Sequence, residues 1–293
     1  MSLVLSAVEG LQYWYMLPLA ILISTIATAS GVGGATFFAP LFMLALRIPP
    51  EAAIGAALIT EVFGFASGLY AYARKRLIDY RLGAALLVTT IPLALLGTWI
   101  SEQFEPDILK AILGVGLLVV AANSLRAPEQ QAVGRMDAAI LQEHGGGKGE
   151  TCLITSEGQA ICYTVCNRTE ARLVAALGGL FKGMIATGLG ELDEHFFLER
   201  CHVPSKVSVA TSVFVVLFTS LSASVGHLVR FALVGGSELR TMLSLVFFTI
   251  PGVILGGQLG PWVDSRFPQR ALERGLHILL LLVATLTLGE AVL

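Results

Sequence analysis

Residues 10–46 read GLQYWYMLPLAILISTIATASGVGGATFFAPLFMLAL and contain no Asp, Glu, Lys or Arg. A second charge-free run covers residues 241–263, and the whole chain of 293 residues is 55% hydrophobic and 14% charged. About 20 apolar residues span the hydrocarbon core of a bilayer, so both runs are long enough to cross it. Globular proteins carry about 25% charged residues. The sequence therefore predicts an all-α polytopic protein of the cell (inner) membrane and argues against a soluble enzyme.

The first charge-free run is too long for one straight helix. Its 37 residues would extend about 55 Å as a helix, whereas the hydrocarbon core is about 30 Å thick. Gly31, Gly33, Gly34 and Pro40 offer places to break it. Broken backbone at membrane depth is tolerated only where protein buries it or it lines a cavity. The break is therefore a candidate site on a re-entrant helix pair.

The balance and the position of the charged residues exclude two further classes of protein or segment. The 19 Lys and Arg nearly balance the 21 Asp and Glu, which argues against a nucleic-acid-binding face. No Lys or Arg precedes Arg47, so we expect the first apolar segment to remain in the mature protein rather than act as a cleaved signal peptide.

Three regions follow from the apolar runs and breakers: membrane repeat 1 over 1–125, a linker over 126–170, and membrane repeat 2 over 171–293. The linker is polar, holds a glycine tract, and contains two short strand-like runs that predict a small β-hairpin. The predicted helices are 12–30, 33–46, 51–73, 82–101, 107–125, 171–189, 194–202, 205–229, 240–260 and 270–289.

The two membrane regions repeat each other. A shift of 159 residues matches Ile26-Ala27-Thr28 with Ile185-Ala186-Thr187, and Thr90-Ile91-Pro92 with Thr249-Ile250-Pro251. Over residues 49–67 a shift of 155 gives the better matches. Two identical triplets at one shift indicate a duplication. Each half would be a broken, re-entrant helix pair followed by three spanning helices.

Charge placement predicts that the halves are inverted. With three crossings in the first half, fourteen of the 19 Lys and Arg lie on the cytoplasmic side, Lys182 lies in the membrane, and four lie outside: Arg47, Lys110, Arg230 and Arg240. Parallel repeats would give eleven against seven. The positive-inside rule favours inversion, which places the hairpin in the cytoplasm and both chain ends outside.

Inverted repeats with breaks at matching places are typical of secondary transporters, whose sites lie between the repeats. The breaks here are residues 30–34 and 188–193. A half-helix that starts after a break directs N–H groups and a positive dipole end at an anion. The alternative is that these glycines only permit tight helix packing. The candidate substrate-binding residues are Gly31, Gly33, Gly34, Thr36, Lys182, Gly188 and Gly190.

Both breaks carry a resemblance. Gly31-Val32-Gly33-Gly34, followed by Pro40 and Ile48-Pro49, resembles the first signature of the sulfite exporter TauE/SafE family. Residues 183–190, followed by Val203-Pro204 and by residues 210–212, resemble the second. The resemblance implies transport of a small sulfur-containing anion such as sulfite, thiosulfate or an organosulfonate. Glu191, Asp193 and Glu194 depart from the glycine or small residues that are common at those positions.

Ionisable residues in apolar segments are costly unless they face the protein interior. Lys182 could pair with a carboxylate such as Glu61 or Glu191, or with the bound anion. We favour the anion because Lys182 lies within two helical turns of the second break. The candidates for proton coupling are Glu61, Glu191, Asp193, Glu194 and His195; the carboxylates near the second break could instead cap a helix start.

We expect no metal and no cofactor, because His195 and Glu199, one turn apart, are too few ligands. Cys152, Cys162 and Cys166 of the predicted hairpin could relay sulfur species or hold a metal, but ordinary reduced thiols are favoured in a cytoplasmic segment. Thr60, Ser67, Thr211, Ser212 and Gln258 could line a path or bond neighbouring helices.

The sequence thus predicts a secondary transporter that works by alternating access, with the bilayer, a sulfur anion and a coupling proton or ion as partners. One alternative is an intramembrane enzyme that uses His195 and neighbouring carboxylates. Another is a membrane receptor or scaffold that acts through residues 126–170. The duplication favours the transporter, because a catalytic site has no need for paired broken helices.

Overall fold

The computed structural model describes residues 11–30, 34–126, 130–143, 151–164, 168–188, 196–197, 203–234, 237–264 and 269–292. After a short 3-10 helix, Leu11–Tyr13, the first group of helices is α1 Met16–Ser30, α2 Ala35–Leu44, α3 Pro50–Lys75, α4 Tyr80–Ser101 and α5 Pro106–Arg126. Then follow α6 Gln130–Glu143, β1 Thr151–Ile154, β2 Ala160–Tyr163, α7 Arg168–Ile185, α8 Ser205–Val234, α9 Ser237–Asp264 and α10 Gln269–Val292.

Local sequence explains where the long helices begin and end. Helix α3 starts with Pro50, whose missing N–H costs nothing at a first turn, and stops where Arg76 adopts a left-handed φ of 55°. Asp79 caps α4, since its Oδ1 accepts hydrogen bonds from the backbone N–H groups of Arg81 and Leu82, both at 3.0 Å.

Four described helical segments are long and apolar enough to cross a bilayer: Pro50–Lys75, Tyr80–Ser101, Ser205–Leu233 and Leu239–Leu259. The ten residues of α2 span only about 15 Å, which is half of a hydrocarbon core. A largely helical membrane fold and a break between α1 and α2 therefore agree with the sequence, and the hairpin forms as predicted.

The two halves of the chain interleave. Helix α1 packs against α9, and α7 packs against α4, so the broken helix of each half lies on a long helix of the other. Helices α3 and α8 pack together, and α5 packs against α10. One buried apolar cluster includes residues from both halves, such as Ala53, Leu117, Ile185 and Leu280.

Contacts between the halves recur reciprocally at the shift of 159. Thr60 Oγ1 lies 2.7 Å from Thr249 Oγ1, and Thr90 Oγ1 lies 2.9 Å from Thr219 Oγ1. Adding 159 to 60 and 90 gives 219 and 249, so the second contact is the first with the halves exchanged. A two-fold relation produces such paired contacts, because residue i meets j while j's counterpart meets i's counterpart.

Glycines show the same reciprocity. A Cβ on Gly97 would clash with the carbonyl oxygen of Leu180, and a Cβ on Gly256 would clash with that of Ile21. Residues 256 and 180 are again 97 and 21 shifted by 159. The pairs α4–α7 and α9–α1 therefore bring their backbones into contact at equivalent positions, and only glycine permits such a close approach.

The contacts also correct the shift over residues 49–67. A Cβ on Gly55 would lie 3.1 Å from Met242 Sδ, and one on Gly83 would lie 2.7 Å from Phe214. The second contact is the first with the halves exchanged only if Phe214 is the counterpart of Gly55 and Met242 is the counterpart of Gly83. Both counterparts lie at a shift of 159 and not 155. Helix α8 begins 155 residues after α3, so its extra four residues, about one turn, lie at its start.

The segment between the halves contains a helix that we did not predict. Helix α6 is followed by the antiparallel hairpin, in which Cys152 pairs with Cys162. Tyr163 Oη donates to Asp79 Oδ2 at 2.7 Å, and Asp137 accepts from the backbone N–H of Ser205 at 2.8 Å. The insert therefore touches the starts of both α4 and α8.

Two of the hairpin cysteines form a disulfide, Cys152–Cys162. The expectation of ordinary reduced thiols is wrong for these two residues, because directly opposed cross-strand positions bring their Cα atoms to 4.1 Å. Cys166 lies outside the described residues.

Candidate anion site at the helix breaks

Three hydrogen-bond donors converge on the carboxylate of Glu61, at the middle of α3. Lys182 Nζ lies 2.6 Å from Glu61 Oε2, and Ser220 Oγ donates to the same oxygen at 2.9 Å. The backbone N–H of Ala35, in the first turn of α2, donates to Oε1 at 3.3 Å. Glu61 and Lys182 are each 2% exposed, so their charges interact with little screening by water.

Lys182 is held in place by the end of its own helix. Its ammonium also donates to the carbonyl oxygen of Ala186 at 3.1 Å. Ala186 has a φ of 61° and Gly188 a φ of 102°, so the chain leaves α7 through left-handed backbone. The second predicted break thus begins at Ala186, and it supplies a carbonyl that helps to compensate the buried ammonium.

The two breaks meet. Thr36 Oγ1, in the first turn of α2, lies 3.1 Å from Thr187 Oγ1 in the second break. Gly34 is the N-cap residue of α2, whose first N–H groups therefore face this junction. Because the sequence places these residues about 150 positions apart, only the interleaved packing of the halves brings them together.

A cavity of about 420 Å³ reaches Gly34 at the start of α2 and the buried Glu61 of α3. Glu61, Thr60 and Gly34 lie at its inner end, and Tyr72 and Lys75 lie where α3 ends. Of the predicted polar liners, Thr60, Ser67 and Gln258 line it, whereas Thr211 accepts a hydrogen bond from the backbone of Asp79 at 3.1 Å. The cavity could admit a small solute as far as the Glu61 carboxylate.

The sulfite exporter TauE/SafE family model matches residues 16–287, which include all of this site. The chain belongs to the TauE/SafE family. It is similar to the probable membrane transporter protein YunE of Bacillus subtilis, with 23% identity over 96% of this chain and 99% of that protein. It is also similar to the probable membrane transporter protein YjnA of the same organism, with 23% identity over 87% and 91%. No solved structure matches.

Family membership and the apolar helices together make this chain a multi-pass cell membrane protein of the transporter class. Both similar proteins are named as transporters and not as enzymes. Within the TauE/SafE chain, the breaks and the buried Lys182–Glu61 pair are thus features of a transporter interior.

The structure supplies a standing carboxylate partner for Lys182, which is the arrangement that we favoured less. Glu61 neutralises the ammonium at 2.6 Å. Each ion would be costly in a low-dielectric interior without the other. Whether an anion also binds Lys182 stays a prediction.

Several predicted site residues of this TauE/SafE protein lie outside the described residues, and others lie apart from the junction. Gly188 lines an apolar cleft between α5 and α7, with Val115 and Phe181 among its walls. The candidates outside the described residues are Gly31, Gly33, Gly190, Glu191, Asp193, Glu194 and His195. No group of three metal-ligating side chains occurs in the described part of the chain.

Sequence reasoning missed Ser220 and did not assign Thr187 to the site. Both carry a signal in the repeat, however. Ser220 is Glu61 shifted by 159, and Thr187 is Thr28 shifted by 159. Residues near the axis of a two-fold relation contact their own counterparts, so the partner of Glu61 could have been found by adding the shift.

Proposed function

We propose that this TauE/SafE protein is a secondary transporter that moves a small sulfur-containing anion by alternating access between two inverted halves. One observation carries the proposal. An ammonium, a hydroxyl and the N–H of a half-helix converge on one carboxylate at the inner end of a cavity. Such a donor set fits an oxyanion, because each group is positive or donates hydrogen bonds.

The reciprocal contacts support the inverted halves. In this interpretation, each half is a broken pair plus three spanning helices, α1–α5 and the chain from α7 to α10. Residues 126–170, the end of α3 near Lys75 and the start of α8 near Lys206 all face the cytoplasm. Helix α8 then ends outside, at Val234. The charge distribution supports this orientation. The cavity then opens to the cytoplasm.

Glu61 acts as the coupling group in this mechanism. Its carboxylate occupies the donors that the substrate anion needs, so the two negative charges compete for Lys182, Ser220 and the Ala35 N–H. Protonation of Glu61 weakens its hold on these groups and lets the substrate replace it. One proton therefore accompanies each anion. Gly31, Gly33, Gly34, Thr36 and the second break complete the site in the proposal.

Flux measurements test the function. Proteoliposomes containing the full chain would be loaded with labelled sulfite, thiosulfate or a sulfonate, with and without a pH gradient. We expect one of the three to move, with a rate that depends on the gradient. Glu61→Gln should transport without that dependence, and Lys110→Met, whose ammonium pairs with Asp107 on the surface of α5, should behave as wild type.

Absence of flux for all three anions would overturn the sulfur-anion assignment. Flux that keeps its full pH dependence in Glu61→Gln would reject Glu61 as the proton-coupling group. The enzyme alternative depends on His195, which lies outside the described residues, and no further observation favours it.

A further inference from the structure

The cavity beside α3 has a filled counterpart beside α8. Gly64, Gly68 and Tyr72 line the cavity and are half-buried. At the shift of 159 their counterparts on α8 are Ala223, His227 and Phe231, which are 0%, 0% and 4% exposed. The reciprocal contacts of the halves make these two rows of residues equivalent in position, so one row borders open space and the other does not.

Side chains of α8 fill the counterpart space and contact α3 of the other half. A Cβ on Gly55 of α3 would lie 3.3 Å from Phe231 Cε2 and 3.4 Å from His227 Cβ, so the two helices touch there. The His227 and Phe231 rings stack with centroids 6.2 Å apart. His227 Nε2 lies 3.2 Å from the carbonyl oxygen of Gly183, which ties α8 to α7.

An ion pair lies at the end of this filled space. Arg230 Nε, near the end of α8, lies 3.1 Å from Glu102 Oε1, just after α4, and both side chains are partly exposed. The counterpart of Arg230 is Ala71, an exposed residue beside the cavity. The pair joins the two halves on the side away from Lys75.

Side-chain sizes are exchanged between the two rows. In the filled space, the large His227 side chain packs against the small Gly55. The counterpart of Gly55 is Phe214 on α8, and the counterpart of His227 is Gly68 on α3. The large residue therefore lies on α8 in both pairs, but at the opposite end of the contact. A Cβ on Gly68 would have nothing within 4 Å, so there is room for a ring to approach it. Close packing of one large with one small residue is therefore possible on either side.

We propose that Gly55, His227, Phe231 and the Arg230–Glu102 pair form the closed outer gate of a second path to Glu61. The gate opens when Phe214 packs against Gly68 and Tyr72 and closes the cavity. The inference rests on the proposed transport function and names the groups that control access to its site. A bound anion shifts the equilibrium between the arrangement with the gate closed and the one with the cavity closed only if its affinity for the two differs.

Thiol accessibility in the full chain tests the gate. Gly64→Cys reports the cavity and Ala223→Cys reports the filled path, each measured with a membrane-impermeant thiol reagent applied from one side, with the parent chain's own labelling subtracted. We expect Gly64→Cys to react from the cytoplasmic side and Ala223→Cys to be protected. Adding Glu102→Gln should raise outside labelling of Ala223→Cys by up to about fivefold, as loss of one partly exposed ion pair allows.

Three variants sharpen the test. Asp107→Asn is the matched control, because it removes an ion pair near Glu102 that lies within α5 alone. The exchange Glu102→Arg with Arg230→Glu should restore protection of Ala223→Cys. Gly68→Phe should fill the space that Phe214 must enter and keep Ala223→Cys protected even with Glu102→Gln.

Equal labelling of Ala223→Cys with and without Glu102→Gln, or an equal increase with Asp107→Asn, would overturn the gate. Labelling needs no substrate, so this result is separate from the flux measurement. A chain that moves none of the tested anions but shows the expected labelling would keep the gate and lose the sulfur-anion assignment.

Discussion

Glu61 in the first half and Ser220 in the second stand at equivalent positions, yet only one of them carries a charge. The two side chains meet at 2.9 Å, as residues near a two-fold axis do. Two carboxylates at that distance would repel each other unless they shared a proton. At this contact a single carboxylate therefore lies between the two halves, and a serine stands at the equivalent position of the second half.

The glycine contacts are more alike in the two halves than the side chains around Glu61 are. Gly97 and Gly256 both lie against a backbone carbonyl of the other half. Backbone approach leaves no room for a side chain, whereas the space around Glu61 accommodates different residues on its two sides. The closest helix contacts are therefore alike in the two halves, whereas the polar side chains near the breaks differ.

Lys182→Met should have the largest effect on this comparison. It leaves the Glu61 carboxylate buried without its cation, which costs about 3–5 kcal/mol of stability when one partner of a buried pair is removed. The counterpart of Lys182 is Ile23, so the second half alone supplies this cation. Unfolding in detergent would measure the loss, and anion affinity would be measured in the same preparation.

Lys182→Met combined with Glu61→Gln is the control, because it removes both charges and should recover most of the lost stability. A stability loss with unchanged anion affinity would leave Lys182 as a structural partner of Glu61 and contradict its role in the site. No loss of stability would contradict the buried pair itself.

Tyr163→Phe tests how strongly the insert, residues 126–170, is bound to the start of α4 in the first half. The hydroxyl donates to Asp79, which caps α4, and a hydrogen bond to a charged group contributes about 1.5–3 kcal/mol. Burial first, and then the hydrogen bond to Asp79, raise the pKa of Tyr163 above its ordinary value of 10.0. The contribution is therefore present below pH 10.0 and is lost as pH rises above it.

Hydrogen exchange of the β2 amides would measure this docking. Exchange should be faster in Tyr163→Phe at neutral pH and should rise less steeply above pH 10.0 than in the wild type, after correction for intrinsic rates. Tyr70→Phe, a change at an exposed tyrosine of α3, is the control. Identical exchange in Tyr163→Phe and wild type would show that the hydroxyl does not hold the hairpin.

The sequence was most informative where apolar length and repetition decide the structure. The break after Ser30, the long helices and the hairpin follow from charge-free runs, glycines and turn residues. Helix α6 was missed because its residues are polar and follow Pro128. The Lys182–Glu61 pair was named as one of two possibilities, since spacing along the chain does not show which helices touch.

Other parts could be found only in three dimensions. The shift of 155 over residues 49–67 followed identical residues, whereas the contacts follow 159 and place an extra turn at the start of α8. A difference of four residues keeps side chains on one helix face, so residue identity alone does not separate the two shifts. The Tyr163–Asp79 bond likewise could not be found from the repeat, because Tyr163 lies in the segment between the two halves.

Gly97→Ala and Gly256→Ala test whether the two halves are packed with equal tolerance. Each methyl group would meet a carbonyl oxygen of the facing helix, and overpacking of this kind costs about 1–3 kcal/mol. We expect similar losses in unfolding free energy for the two variants. Gly289→Ala, with nothing within 4 Å of the added methyl group, should lose none. A large loss for only one of the pair would break the equivalence.

The threonine pairs should give the smallest effect and the closest comparison. Thr60 with Thr249 and Thr90 with Thr219 are the same contact with the halves exchanged, at 2.7 and 2.9 Å. All four residues are 0% exposed, so none of the hydroxyl groups can exchange its threonine partner for bulk water. Interhelical hydrogen bonds in membrane proteins average about 0.6 kcal/mol in double-mutant cycles.

Two cycles of Thr→Val substitutions, one for each pair, would give the two coupling energies from unfolding free energies in detergent. Valine keeps the shape of threonine and removes the hydroxyl, so the coupling reports the hydrogen bond rather than a cavity. We expect two values near 0.6 kcal/mol that agree within about 0.5 kcal/mol, the usual error of additivity. Thr98→Val is the control, since its hydroxyl bonds Ala94 within α4 and should not couple to Thr219→Val. Unequal couplings would mean that the halves hold each other differently at equivalent steps, because one pair then carries energy that its counterpart lacks.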